Sequence, residues 1–228
     1  MDSSVVISIL LILLTSALLV VTGLKKQPGL GVIGALIVII LATWLRGRNL
    51  ASLGLSTPGN WLTTILLGLA LGALLQLISV AIVEPLSERL THTPHDLSLL
   101  ANVKGNWKAF LQWMLMVWIL VALLEECVYR GFLMHETAWL LGTSALPTII
   151  NVLSSSAVFG LSHGYQGRSG ILSTGVIGIL LAIIFVWNGY NLWLLIFTHG
   201  FIDTVGIGLI ALDWDKRFRH LIWRETAV

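Results

Sequence analysis

Charge is scarce in this sequence. Only 11% of its 228 residues are Asp, Glu, Lys or Arg, against ~25% in an ordinary soluble domain, and 57% are hydrophobic, which excludes a soluble globular domain. Cysteine is reduced to Cys127 alone, so an intrachain disulfide and a cysteine-built metal site are excluded as well. The net charge is only +2 and the basic residues are scattered, which leaves no footprint for nucleic acid. There is no Pro/Gly/Ser-rich linker, no polar stretch long enough for a soluble domain and no internal repeat. Residues 1–228 are therefore expected to form a single integral membrane domain. The opening Met1-Asp2-Ser3-Ser4 lacks a basic residue, and the apolar run after it has no small-residue cleavage site. That run is expected to be a retained span and not a signal peptide.

What remains is a series of apolar runs, and they predict an all-α fold: a polytopic membrane helix bundle of about seven transmembrane helices around a polar intramembrane site. The expected spans are 5–24, 30–45, 61–83, a fourth starting at 107, 148–163, 171–187 and 192–212. Gly68 and Gly72 mark the third span for close packing. The polar stretch 84–106 should hold a short interfacial helix at 96–103. Residues 213–228, with Lys216, Arg217, Arg219 and Arg224 beside Trp214, Phe218 and Trp223, read as an amphipathic interfacial tail. Seven spans put the termini on opposite sides. With the C-terminus in the cytoplasm, Lys25, Lys26, Arg89, Lys104, Lys108, Arg168 and the cations of the tail lie inside, against only Arg46 and Arg48 outside. The positive-inside rule favours that orientation, and the plasma (inner) membrane is the expected location.

Three charges interrupt the fourth apolar run, at Glu125, Glu126 and Arg130. An ionised group at the centre of a spanning helix costs ~2.5–3.5 kcal/mol on insertion scales, so each needs a function or a partner. His163 ends the fifth span, and His199 with Asp203 lies within the seventh. Residues i and i+4 share a helix face, so His199 points with Asp203 and Glu126 with Arg130, while Glu125 is rotated ~100° from Glu126. Glu126 and Arg130 can be an intrahelical ion pair, with Glu125 left to face a cavity. Phe159, one turn before His163, is placed to position it. Cys127 reads as a small buried packing residue, and His92, His95, His135 and His220 as solvated surface histidines.

A carboxylate and two imidazoles in a water-excluded bundle can activate water in either of two ways. Glu125 can act as general base, with a histidine orienting the water or stabilising the oxyanion. Alternatively, His163, His199 and a carboxylate, Glu125 or Asp203, can hold zinc with water in its open position.

These residues resemble the CAAX-protease and bacteriocin-processing (CPBP/Abi) intramembrane protease family, the type II CAAX prenyl endopeptidase-like proteins. The Glu-Glu-x-x-x-Arg motif is matched by Glu125, Glu126 and Arg130, the Phe-x-x-x-His motif by Phe159 and His163, and the His-x-x-x-Asn/Asp motif by His199 and Asp203. The motif-bearing core is about 107–212. The resemblance implies an intramembrane endopeptidase in which Glu125 is the base, His163 its partner, and His199 and Asp203 the polar wall. It leaves zinc an open possibility as cofactor. Asp203 stands where the prenyl-protein-processing members typically carry Asn, which tilts the site towards metal ligation or substrate-amine contacts. The implied partners are the lipid bilayer and a membrane-associated peptide or protein substrate, prenylated or of bacteriocin type. A non-proteolytic adaptor or immunity protein and a small proton-coupled transporter are the alternatives. For Glu125 and His163 to meet, the membrane part of the fourth helix is expected to start near Gln112 and the fifth helix to continue past His163.

Overall fold

The computed structural model describes residues 2–223. Arg224 lies outside the described residues, as do the side chains of Lys216, Phe218 and His220. The described residues are helical and contain no strand. The helices are α1 (Ser3–Leu24), α2 (Pro28–Leu45), α3 (Trp61–Thr91), α4 (Trp107–Leu141), α5 (Ala145–Ser162), α6 (Gly167–Trp187), α7 (Leu192–Ala211) and α8 (Trp214–Trp223). Seven are long and apolar enough to cross a membrane, so the chain is an integral multi-pass membrane protein.

Local chemistry sets the helix ends. Asp2 caps α1 by accepting the Ser4 backbone N–H, and Pro28 opens α2 in the first turn, where its missing N–H has no partner to lose. The same argument explains why α5 starts at Ala145 and not at 148: Pro147 falls in its first turn. The third helix also runs further than its apolar pattern, to Thr91 instead of 83. Pro85 lies within it and cannot donate to the carbonyl four residues back, Ala81. The Trp223 indole donates to that carbonyl at 2.7 Å, so α8 satisfies the group that the proline leaves open. The expected helix at 96–103 is reduced to one 3₁₀ turn, Ser98–Leu100.

Helix α4 is the hub. Its 35 residues span roughly 50 Å at ~1.5 Å per residue, more than the ~30 Å hydrocarbon core. It stays unbroken but widens into π-helical stretches at Val117–Leu123 and Cys127–Met134, on either side of Leu124–Glu126. Every residue from 125 to 134 is buried. Val128, Tyr129 and Phe132 pack on α1, α2 and α5, while Cys127 and Met134 pack on α6 and α7. At the end where α4 turns into α5, Glu136 is 1% exposed and accepts from Ser8 of α1 (2.7 Å), from Arg46 (2.9 Å) and from Arg48. This network ties three helix ends together.

Helices α3 and α7 cross closely because Gly72 has no side chain. A Cβ there would lie 2.6 Å from the Thr198 carbonyl oxygen, which belongs to the backbone and cannot swing away. Gly72→Ala is expected to destabilise the protein by about 1–3 kcal/mol, read as a lower thermal midpoint in detergent. Gly208→Ala, whose Cβ meets nothing, should leave the midpoint unchanged or raise it.

Candidate active site

Helices α4 and α5 form an antiparallel hairpin, and depth is best counted from its turn. Glu125 lies sixteen residues before Leu141, or ~24 Å, and His163 eighteen residues after Ala145, or ~27 Å, at ~1.5 Å per residue. The two side chains therefore meet with no extension of α5. The fifth helix does not continue past His163 but ends at Ser162, because Gly164–Gln166 forms a 3₁₀ turn there and α6 restarts at Gly167.

His163 is fixed from behind. Its Nδ1 donates to the Phe159 carbonyl at 2.8 Å, and its ring lies 4.6 Å from the Phe159 ring. That carbonyl also accepts from Ser162 Oγ (2.7 Å), which in turn receives the Tyr129 hydroxyl (2.6 Å). Since a carbonyl can only accept, Nδ1 carries the proton and Nε2 is the free face of the ring. Nε2 lies 4.0 Å from Glu125 Oε2, a buried oxygen without a hydrogen-bond partner among the described residues.

Glu126 has a different task, as its rotation from Glu125 predicts. Its Oε1 accepts from Arg130 Nη1 and from His199 Nδ1, each at 2.8 Å. Arg130 and Glu126 are both fully buried. The guanidinium also donates to the Gly178 carbonyl (3.2 Å) and stacks 4.5 Å above the Phe159 ring. With Nδ1 held by Glu126, His199 turns Nε2 towards Asp203 Oδ2, 3.7 Å away. The helical spacing predicts the Glu126–Arg130 and His199–Asp203 pairs. It could not give the Glu126–His199 bond, which joins residues on different helices, nor the contributions of Tyr129, Ser162 and Gly178.

His163, His199 and Asp203 line a cavity of about 170 Å³ and a second of about 140 Å³. His95, expected at the solvated surface, lines the first: its Nε2 bonds Gln166 Oε1 at 3.2 Å, and the Asp96 N–H donates to the Gln166 carbonyl at 3.0 Å. These bonds pin the 92–106 connector over the turn that follows His163. Ser98, through its hydroxyl and its N–H, lowers the pKa of the Asp96 carboxyl, and Lys26 adds to this. His135 is also no surface histidine, since it packs against Phe185 and Tyr190. His92 is exposed and Cys127 buried, as expected.

The polar set can bind and polarise water or a carbonyl. Among the described residues, no three His, Cys, Asp or Glu side chains are arranged to hold one metal ion, and no step below is routed through zinc.

Breaking the Glu126–Arg130 pair leaves a charge stranded in the core. Arg130→Ala is expected to cost about 3–5 kcal/mol, read as thermal unfolding in detergent, and Glu126→Gln with Arg130→Met should recover part of it. An equal loss in both variants would assign the effect to packing and not to charge.

No curated protein and no solved structure matches the chain. The family model described as type II CAAX prenyl endopeptidase Rce1-like matches residues 107–205, the segment that carries Glu125, Glu126, Arg130, Phe159, His163, His199 and Asp203, and over that segment the chain is similar to this family.

Proposed function

We propose that the protein is an intramembrane endopeptidase that hydrolyses a peptide bond of a membrane-associated substrate, with Glu125 as general base. The observation that carries this reading is the pairing of Glu125 Oε2, buried and without a hydrogen bond, with the free Nε2 of His163 at 4.0 Å. One water oxygen bonded to both atoms spans that separation. Glu125 takes a proton from this water as its oxygen bonds to the scissile carbonyl carbon. The tetrahedral oxyanion accepts from His199 Nε2–H, the ring being an imidazolium held between Glu126 Oε1 and Asp203 Oδ2. When it collapses the C–N bond breaks, and the proton held on Glu125 passes to the leaving amine. Glu126 and Arg130 do not exchange protons with the substrate; they hold His199 in place.

The convergence of the polar groups at one depth supports hydrolysis over a proton relay, which would string its groups along a path open to both faces. An adaptor or immunity role would leave the Glu125–His163 pairing without a task. The distribution of cations supports a cytoplasmic C-terminus; the plasma (inner) membrane is the proposed location, and prenylated or bacteriocin-type polypeptides are the proposed substrates.

The test is proteolysis of a lipopeptide library by the purified protein. Glu125→Gln and His163→Ala are each expected to lower the rate by about 10²–10⁴-fold while the fold is retained. Full activity in both variants would sink the assignment. A chelator should leave the rate unchanged if Glu125 acts as the base alone, and abolish it if zinc holds the water.

A further inference from the structure

We propose that the cavity in front of His163 and His199 binds a positively charged segment of the substrate, a lysine- or arginine-bearing peptide. This rests on the peptidase reading for the kind of chain that enters, and it adds the charge that this chain carries.

The cavity of about 170 Å³ has three carboxylates in its lining, Glu84, Asp203 and Asp215, and, histidines apart, one basic side chain, Arg219. Arg219 is bound to Glu88, which stands outside the lining, so its charge is already matched. Glu84 and Asp215 are not matched in this way, and Asp203 shares His199 with Glu126. Glu84 accepts from the Ser79 hydroxyl at 3.0 Å and Asp203 faces His199 Nε2 at 3.7 Å. Neither they nor Asp215 pair with a Lys or Arg among the described residues. Other cations of this end of the bundle are engaged elsewhere, Lys26 with Asp96 and Lys104 with Asp213.

Like charges that converge between low-dielectric walls focus their field into the space between them, and that field attracts a cation. The acids are spread along the cavity and, among the described residues, do not gather three ligands on one metal ion, so the matching charge must be spread as well. A peptide carrying Lys or Arg meets that demand. Ile177 and Ile207 in the same lining offer apolar wall for the stem of such a side chain. His163 gives an independent sign of a ligand. It is only 7% exposed and lines this cavity, and its Nε2 makes no hydrogen bond among the described residues. The second cavity shares His163, His199 and Asp203 with the first and adds Asp96 together with Trp113, Val117 and Val121.

Binding is measured with full-length Glu125→Gln protein in zwitterionic nanodiscs. The probes are three fluorescent peptides of one amphipathic sequence, with Lys, Gln or Glu at the same positions. The Lys peptide is expected to bind about tenfold more tightly than the Gln peptide, with the gap closing as salt is raised. Adding Glu84→Gln and Asp215→Asn should remove the preference, whereas Asp2→Asn, at the start of α1, should keep it. Should the double variant misfold, Glu84→Lys alone provides the test, by shifting the preference towards the Glu peptide. Equal affinities for the three peptides, or a preference that survives the cavity variants, would overturn the proposal. So would displacement by K⁺ or Mg²⁺ with no discrimination among peptides, which would mark an inorganic cation site. A Lys preference without cleavage by the unmodified protein would reject the peptidase reading and leave the cationic site standing. Cleavage without the preference would do the reverse.

Discussion

Glu126 Oε1 is the atom on which the arrangement depends. It receives one hydrogen bond from Arg130, on its own helix, and one from His199 on α7, each at 2.8 Å, with no exposure to solvent. Taking a carboxylate and a guanidinium out of water costs several kcal/mol per ion, and only close geometry with further hydrogen bonds recovers it. The recovery is shared between helices: Arg130 reaches the Gly178 carbonyl on α6 and the Phe159 ring on α5. One buried ion pair thereby fixes α4 against α5, α6 and α7. Because Glu126 absorbs these bonds, Glu125 is left without them, and the two neighbouring carboxylates acquire different chemistry from a rotation of one residue.

Small residues let those helices come close enough for the bonds to form. A Cβ at Gly160 would lie 2.6 Å from the Ile171 carbonyl oxygen, so α5 and α6 touch backbone to backbone beside the site. A Cβ at Gly178 would lie 3.0 Å from the Phe159 ring, the ring on which Arg130 stacks. The position of the guanidinium is thus set by a glycine on a helix that contributes no motif residue.

Much of this was legible in the sequence, and the exceptions share a cause. Seven apolar runs gave seven spans, and the i, i+4 spacing gave Glu126 with Arg130 and His199 with Asp203, since each of these facts is local. Depth taken from Trp107, the free end of an over-long helix, is what asks for a membrane start near Gln112 and for a fifth helix that continues past His163. The hairpin turn is the point that α4 and α5 share, and counted from there Glu125 and His163 are level. His95 was unreadable for a related reason. Its value comes from Gln166, a residue with no motif, and a polar stretch with two prolines reads as solvated surface until its partner is known. The Glu126–His199 bond likewise has no expression in sequence spacing.

The C-terminal helix shows how far local reading reaches. Its basic, aromatic composition marks an interfacial segment, and composition can say no more. The Trp223 indole nevertheless completes the backbone of α3 at Ala81, where Pro85 withholds a donor, and Arg219 holds Glu88. With α8 anchored at these two points, Asp215 and Arg219 become part of the cavity wall in front of His163. A proline in the third helix and a tryptophan near the end of the described chain are therefore one feature, because the carbonyl left open by the first is the anchor of the second. The polar half of the site is built from segments on both sides of the matched region 107–205. The residues proposed for the chemistry lie inside that region, while Glu84 and Asp215, which set the charge of the approach to them, lie outside it.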